Sequence, residues 1–192
     1  MYLWLDLETT GLNADSGEII EVGWMITDNW EILSPAKSYV VTPTFDTFEM
    51  MKQDLVVSTI HQDNGLIHDM VMSDTLVIED IEHEILRDIA EQRVESDKWV
   101  ILAGSSVHFD RTFIEKYMWR LDRELSYRHF DVSTLKMFFD SVGFPHLGER
   151  DTPSTHRALS DVKDSYRLAR KYVNLINLMV DEGEINAERK SL

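Results

Sequence analysis

Asp6 and Glu8 near the start of the chain, Asp110 in the middle, and His156 and Asp161 near the end are the side chains whose types and order can do chemistry. Four carboxylates and an imidazole are the parts needed to hold two divalent cations and to activate a water between them. Ligation by carboxylate oxygens suits Mg2+ or Mn2+. An imidazole, with an unperturbed pKa of ~6.5, takes a proton from a metal-bound water near neutral pH without tuning by its surroundings. If the five converge in space, they form a centre for hydrolysing phosphodiester bonds.

Each residue also has a plainer reading. Asp6 and Glu8 are two apart on an extended run, so both leave one face while Leu5 and Leu7 leave the other. A lone pair of this kind is more often the solvated face of a strand. Here the run is almost wholly apolar up to Asp6, as in a central buried strand, and two acids at its end call for a compensating charge. In Thr9-Thr10-Gly11-Leu12, Gly11 is expected to permit a tight turn that presents Leu12 as an apolar wedge against a base, with core packing of Leu12 as the other reading. Asp110 lies six residues beyond Gly104, where a strand passes into a helix. It can be a helix N-cap there, a role Ser105 or Ser106 can take instead, and such junctions are also where α/β folds place ligands. Ser106 adds a hydroxyl and backbone amides suited to a phosphate. His156 is the candidate general base, and Asp161 and Asp164 are rivals for the last ligand on one helix.

The elements that must position these residues follow from periodicity. Tyr2 to Leu7 reads as a buried strand and Gly11 to Gly17 as a turn. Ile19 to Asp28 and roughly Ile32 to Thr42 read as strands joined at Asn29-Trp30-Glu31, so three antiparallel strands open the sheet. Asp80 to Arg93 is predicted helical from Ile81, Ile85, Ile89 and Ala90, and Trp99 to Ala103 is a short strand. Arg111 to Leu125 is a helix, Phe130 to Val132 a strand, and Thr134 to Val142 a helix. Thr155 to Met179 is a long helix with Leu168, Tyr172, Leu175, Ile176 and Met179 as its stripe. The expected architecture is a mixed-sheet α/β domain over residues 1–180, with a polar, disordered tail at 181–192.

Composition narrows the function. A chain of 192 residues with 43% apolar content suits one well-buried core. No run approaches the ~20 apolar residues of a membrane helix. With no cysteine there is no disulfide framework and no thiolate metal site, and a cytoplasmic setting is expected. The net charge of −16 disfavours a grip on long nucleic acid, because phosphates are held by Lys and Arg. Two cations would offset four of the acids, and the remaining excess implies a small substrate held locally, or a non-catalytic acidic partner surface.

The segments L-D-L-E-T-T-G-L (residues 5–12), G-S-S-V-H-F-D-R-T-F (104–113) and H-R-A-L-S-D (156–161) together resemble the DEDDh group of 3′-to-5′ exonucleases in the RNase H-like superfamily. The H-x4-D spacing supports Asp161 over Asp164. Y-R-H-F-D-V-S-T-L-K at Tyr127 to Lys136 is similar to the oligoribonuclease segment, and the resemblance covers Met1 to Tyr172. It implies an RNase H-like fold with a mixed five-stranded sheet flanked by helices, and 3′-to-5′ removal of nucleotides from very short RNA, dinucleotides preferred. Two cations held by Asp6, Glu8, Asp110 and Asp161 would activate the attacking water and clamp the scissile phosphate, with His156 as general base. It further implies that Arg128, Ser133 and Ser106 cap the 5′ phosphate, that Leu12 wedges between two bases and that His61 lies near the substrate. Tyr127 would be offered to the partner's site in a homodimer. Three features depart from the family pattern: Thr9, shared with many DNA-directed proofreading exonucleases; Ser105 and Phe109 beside Asp110; and Leu55, Val56 and Val57 where a tryptophan is usual. The alternatives are an exonuclease of proofreading type on single-stranded DNA or structured RNA, which calls for a basic path that Lys98, Lys116 and Arg120 do not supply, and a silent binding module, which calls for a missing ligand.

Overall fold

The computed structural model describes residues 1–93, 99–149 and 154–181. Strand β1 (Tyr2–Thr9) is its axis. Leu3, Leu5 and Leu7 join one apolar cluster and Trp4 joins another, so Asp6 and Glu8, in phase with Trp4, leave on Trp4's side. β1 pairs antiparallel with β2 (Ile19–Asp28), which pairs antiparallel with β3 (Glu31–Val40). On its other edge β1 pairs parallel with β4 (Val100–Gly104), and β4 pairs parallel with β5 (Leu125–Asp131). The order β3-β2-β1-β4-β5 is the mixed five-stranded sheet expected, with three antiparallel strands first. The β2–β3 turn is Asn29-Trp30 alone, both at positive φ (45° and 68°), as a two-residue turn between twisted strands requires.

Helices cover both faces. The cluster of Leu3, Leu5 and Leu7 takes Ile81, Ile85 and Ile89 from α4 (Ile78–Gln92), Val107 and Phe113 from α5 (Val107–Tyr117), and Leu121 from α6 (Trp119–Glu124). The cluster of Trp4 takes Val132 and Phe139 from α7 (Val132–Ser141) and Val162, Ala169 and Tyr172 from α8 (Ala158–Asp181). Asp6 and Glu8 therefore face the side that α8 covers.

Several expectations are corrected. Between Thr42 and Asp80, where no element was predicted, lie α1 (Phe45–Gln53), α2 (Leu55–Asp63) and α3 (Leu66–Met72). Thr44 and Asp54 cap the first two with side-chain bonds to backbone amides. The helix expected from Arg111 to Leu125 starts at Val107 and breaks at Met118, whose φ of −131° and ψ of 57° are not helical. β5 begins five residues before the expected Phe130. Gly11 does not have a left-handed φ, and a Cβ there would meet nothing within 4 Å; the turn is closed instead by Thr9 Oγ1 donating to the Gly11 carbonyl at 2.8 Å. The buried stripe of α8 runs Ala158, Asp161, Val162, Ser165, Ala169, Tyr172, and Ile176 is exposed. The predicted tail lies outside the described residues from position 182 onward.

Candidate active site

One carboxylate oxygen each from Asp6, Glu8 and Asp161 lie within 4.8 Å of one another. Asp6 and Glu8 come from alternate positions of β1, and Asp161 from the first turn of α8, on its buried face. Asp164, three residues on, pairs with Arg167 at 2.9 Å instead, so helix phase separates the two rivals. Asp110, 3% exposed, sits in the first turn of α5, where Oδ1 accepts the Leu7 amide at 3.0 Å. It is within the body of the helix; the N-cap position falls to Ser106, which makes no side-chain capping bond.

The electrostatics of this cluster are unfavourable without a cation. Burial, then the charges of Asp6, Asp161 and Glu21, push the Glu8 carboxyl up to about 9, with Arg157 opposing. Burial and the charge of Asp6 push Asp110 well above the usual carboxylate range, against the Leu7 amide bond that pulls it down. Ionised carboxylates buried without partners cost several kcal/mol each. An all-oxygen set with too much negative charge fits divalent cations of the Mg2+ or Mn2+ type.

His156 is exposed, on the stretch just before α8, with φ of 49°. Its amide donates to Ser154 Oγ at 3.2 Å, and Ser154 Oγ in turn donates to Asp161 Oδ1 at 3.1 Å, so the His156 backbone and the acid share one hydroxyl. His61, on α2, is buried at 3% exposure; its Nε2 lies 3.3 Å from the Thr9 carbonyl and 4.0 Å from Glu8. Burial lowers its pKa, and the nearby charge of His156 adds to that. Nδ1 of His61 is buried without a hydrogen-bond partner.

Of the remaining expected residues, Ser106 and Ser133 are brought together, their hydroxyls 3.2 Å apart. Asp131 holds both: its Oδ1 accepts the Ser106 amide at 3.1 Å and the Ser133 amide at 2.8 Å, which also caps α7. Leu12 is 84% exposed beyond the end of β1, as a wedge requires. Tyr127 (79% exposed) and Arg128 lie where β5 bulges: β4 advances from Val100 to Leu102 while β5 advances from Leu125 to His129. The Arg128 guanidinium stacks 5.2 Å over the Tyr127 ring. Arg111, next to Asp110, ties the bulge down by donating to the Ser126 carbonyl at 3.3 Å.

The sequence reading missed the supports: Glu21, Asn64, Asp69, Arg157, Ser154, Asp131 and Arg111. One signal was available. Glu21 interrupts the apolar run of β2, and a buried acid in such a strand needs a partner.

The exonuclease family model matches residues 3–169. An oligoribonuclease from Nocardia farcinica is 35% identical over 172 residues, covering 87% of this chain and 76% of the relative. Among solved structures, exonuclease I from Methylocaldum szegediense matches with a TM-score of 0.63 and 15% identity, over 90% of this chain and 40% of that one, so this chain spans less than half of exonuclease I. The nuclease domain of 3′hExo, a DEDDh family member bound to rAMP, matches with a TM-score of 0.58 and 17% identity over 90% of this chain and 91% of that domain. With a family match across most of the chain and an oligoribonuclease relative of this identity and coverage, the chain belongs to the exonuclease family, among its oligoribonuclease-like members.

Proposed function

We propose that the protein removes 5′-mononucleotides from the 3′ end of very short single-stranded RNA, dinucleotides preferred, as a homodimer working in the cytoplasm. The observation that carries this reading is the convergence of Asp6, Glu8 and Asp161 beside buried Asp110, with His156 on the adjoining loop. These four carboxylates would hold two cations, Mg2+ or Mn2+. When bound, the ions lower the pKa of the attacking water and polarise the scissile phosphate. His156 takes the proton from that water as its oxygen bonds to phosphorus and the bond to the departing 3′ oxygen breaks. Leu12 separates the two bases, and His61 lines the same end of β1. Ser106 and Ser133 receive the 5′ phosphate, and Arg128 swings from Tyr127 to close over it, so a longer chain has no exit in that direction.

Offering a labelled diribonucleotide, a seven-nucleotide RNA and a long single-stranded DNA to the Mn2+- or Mg2+-loaded enzyme tests this. Asp110→Ala is expected to abolish turnover of all three. Arg128→Ala is expected to lower kcat/KM about tenfold or more on the dinucleotide, the scale of one charge-assisted phosphate contact, with a smaller effect on the heptamer. Equal turnover of long DNA, indifferent to Arg128→Ala, would overturn the short-substrate reading, and activity surviving Asp110→Ala would overturn the metal centre.

A further inference from the structure

The backbone of the candidate base is held by side chains to which no step above gives a role. His156 has left-handed φ, which a residue other than glycine keeps only where its surroundings impose it. Its carbonyl accepts from Asn64 Nδ2. The next residue, Arg157, is fixed on two sides. Nε and Nη2 donate to the two oxygens of Glu21 at 3.1 and 3.3 Å, and Nη1 lies 2.9 Å from Asp69 Oδ2. Glu21, 1% exposed, also accepts the Ala158 amide at 3.1 Å and stands opposite Glu8 in the β1–β2 ladder. Arg157 therefore pairs with the buried acid that stands opposite Glu8, and its planar fork spans partners that a lysine cannot reach together. Asn64 is the C-cap of α2 and Asp69 lies in α3, so the corner between these helices grips the base loop.

We propose that Arg157, fastened by Glu21 and Asp69, together with Asn64 on the His156 carbonyl, are positioning residues that hold the general base against the metal-binding acids. The α2–α3 corner is then a working part of the catalytic centre, with Asn64 and Asp69 acting through His156. The inference rests on His156 being the base.

The test is a double-mutant cycle on the Mn2+-loaded enzyme with a labelled diribonucleotide. Arg157→Lys keeps the charge and loses the fork. Asn64→Asp keeps the oxygen that accepts the Leu66 amide at 2.9 Å, and replaces the donor to His156 by a carboxylate oxygen that its carbonyl repels, which serves should the arginine variant fold poorly. Each is expected to lower kcat about tenfold or more, as loss of an outer partner does, with KM and Mn2+ affinity within about twofold of the parent. In a His156→Ala background the same substitutions are expected to change kcat by less than about twofold, because the group they position is gone. Losses that multiply undiminished on His156→Ala, or that fall on KM or Mn2+ affinity, would overturn the positioning role. A parental kcat for His156→Ala alone would instead overturn the general-base assignment beneath it.

Discussion

Glu8 is the acid whose protonation would report most directly on cation binding. In the unfolded chain it titrates near its ordinary 4.5, and in the fold it titrates at about 9. Below 4.5 both states are protonated. Between the two values the unfolded chain is ionised while the folded one still binds the proton, so stability falls as pH rises through that window. The metal-free protein is thus expected to lose melting temperature from pH 5 to pH 9. Each ~1 kcal/mol is ~2–4 °C in a domain of this size, and a drop of a few degrees is readable by calorimetry. Excess Mn2+ should flatten the profile, because cation-bound carboxylates stay ionised; Glu8→Gln should lessen it without metal, leaving the part that the raised Asp110 contributes. A slope that neither changes would place its origin elsewhere. At this scale the acids and the histidine were legible because they are chemical types at fixed spacing. Their supports were not, because Asn64 and Asp131 act on backbone atoms, and a bond to a carbonyl or an amide leaves no partner residue type in the sequence.

Two glycines show how closely the elements must meet at the site. A Cβ on Gly23 of β2 would stand 2.6 Å from the carbonyl carbon of Ala158 and 2.7 Å from its oxygen. No rotamer relieves a clash with backbone, so Gly23→Ala must push the first turn of α8 off the sheet, and Asp161 and the stretch carrying His156 move with it. The expected cost is about 1–3 kcal/mol by denaturant unfolding, together with a fall in kcat. Gly11→Ala is the contrast. Its Cβ meets nothing and its φ suits any residue, so stability should hold or rise by ~0.4–1 kcal/mol through the unfolded state. Equal destabilisation by both would show that close approach is not what Gly23 provides. Strands β1 to β4 and helix α4 were legible from their periods. Helices α1 to α3 were not, since each buries only one or two side chains, such as His61 alone on α2, and so writes no apolar stripe.

At the scale of the whole molecule, the charge of −16 leaves few cations to guide a strand, and two of the three considered are occupied. Lys116 donates to the carbonyls of Ala14 and Asp15, and Arg120 pairs with Glu82; Lys98 lies outside the described residues. The proposed second copy would have to dock through apolar side chains, because it carries the same net charge. β5 is an edge strand, and Tyr127 on it and Met137, Phe138 and Val142 on or just after α7 are all exposed. An uncovered edge beside apolar side chains is what a twofold contact would cover, and the same contact would deliver Tyr127 to the neighbouring site. Sedimentation at micromolar concentration is expected to give a dimer, and Phe138→Glu a monomer with little activity on a diribonucleotide. Mixing separates the shared-site model from a dimer of independent sites. Asp110→Ala and Tyr127→Ala should each be nearly inactive alone. In a mixed dimer, one site has an intact Asp110 and receives Tyr127 from its Asp110→Ala partner. Random re-pairing of equal amounts makes half the dimers mixed, each with one complete site of two, so activity should recover to about a quarter of the parent's. Full activity of Tyr127→Ala alone, or no recovery on mixing, would leave each protomer working by itself.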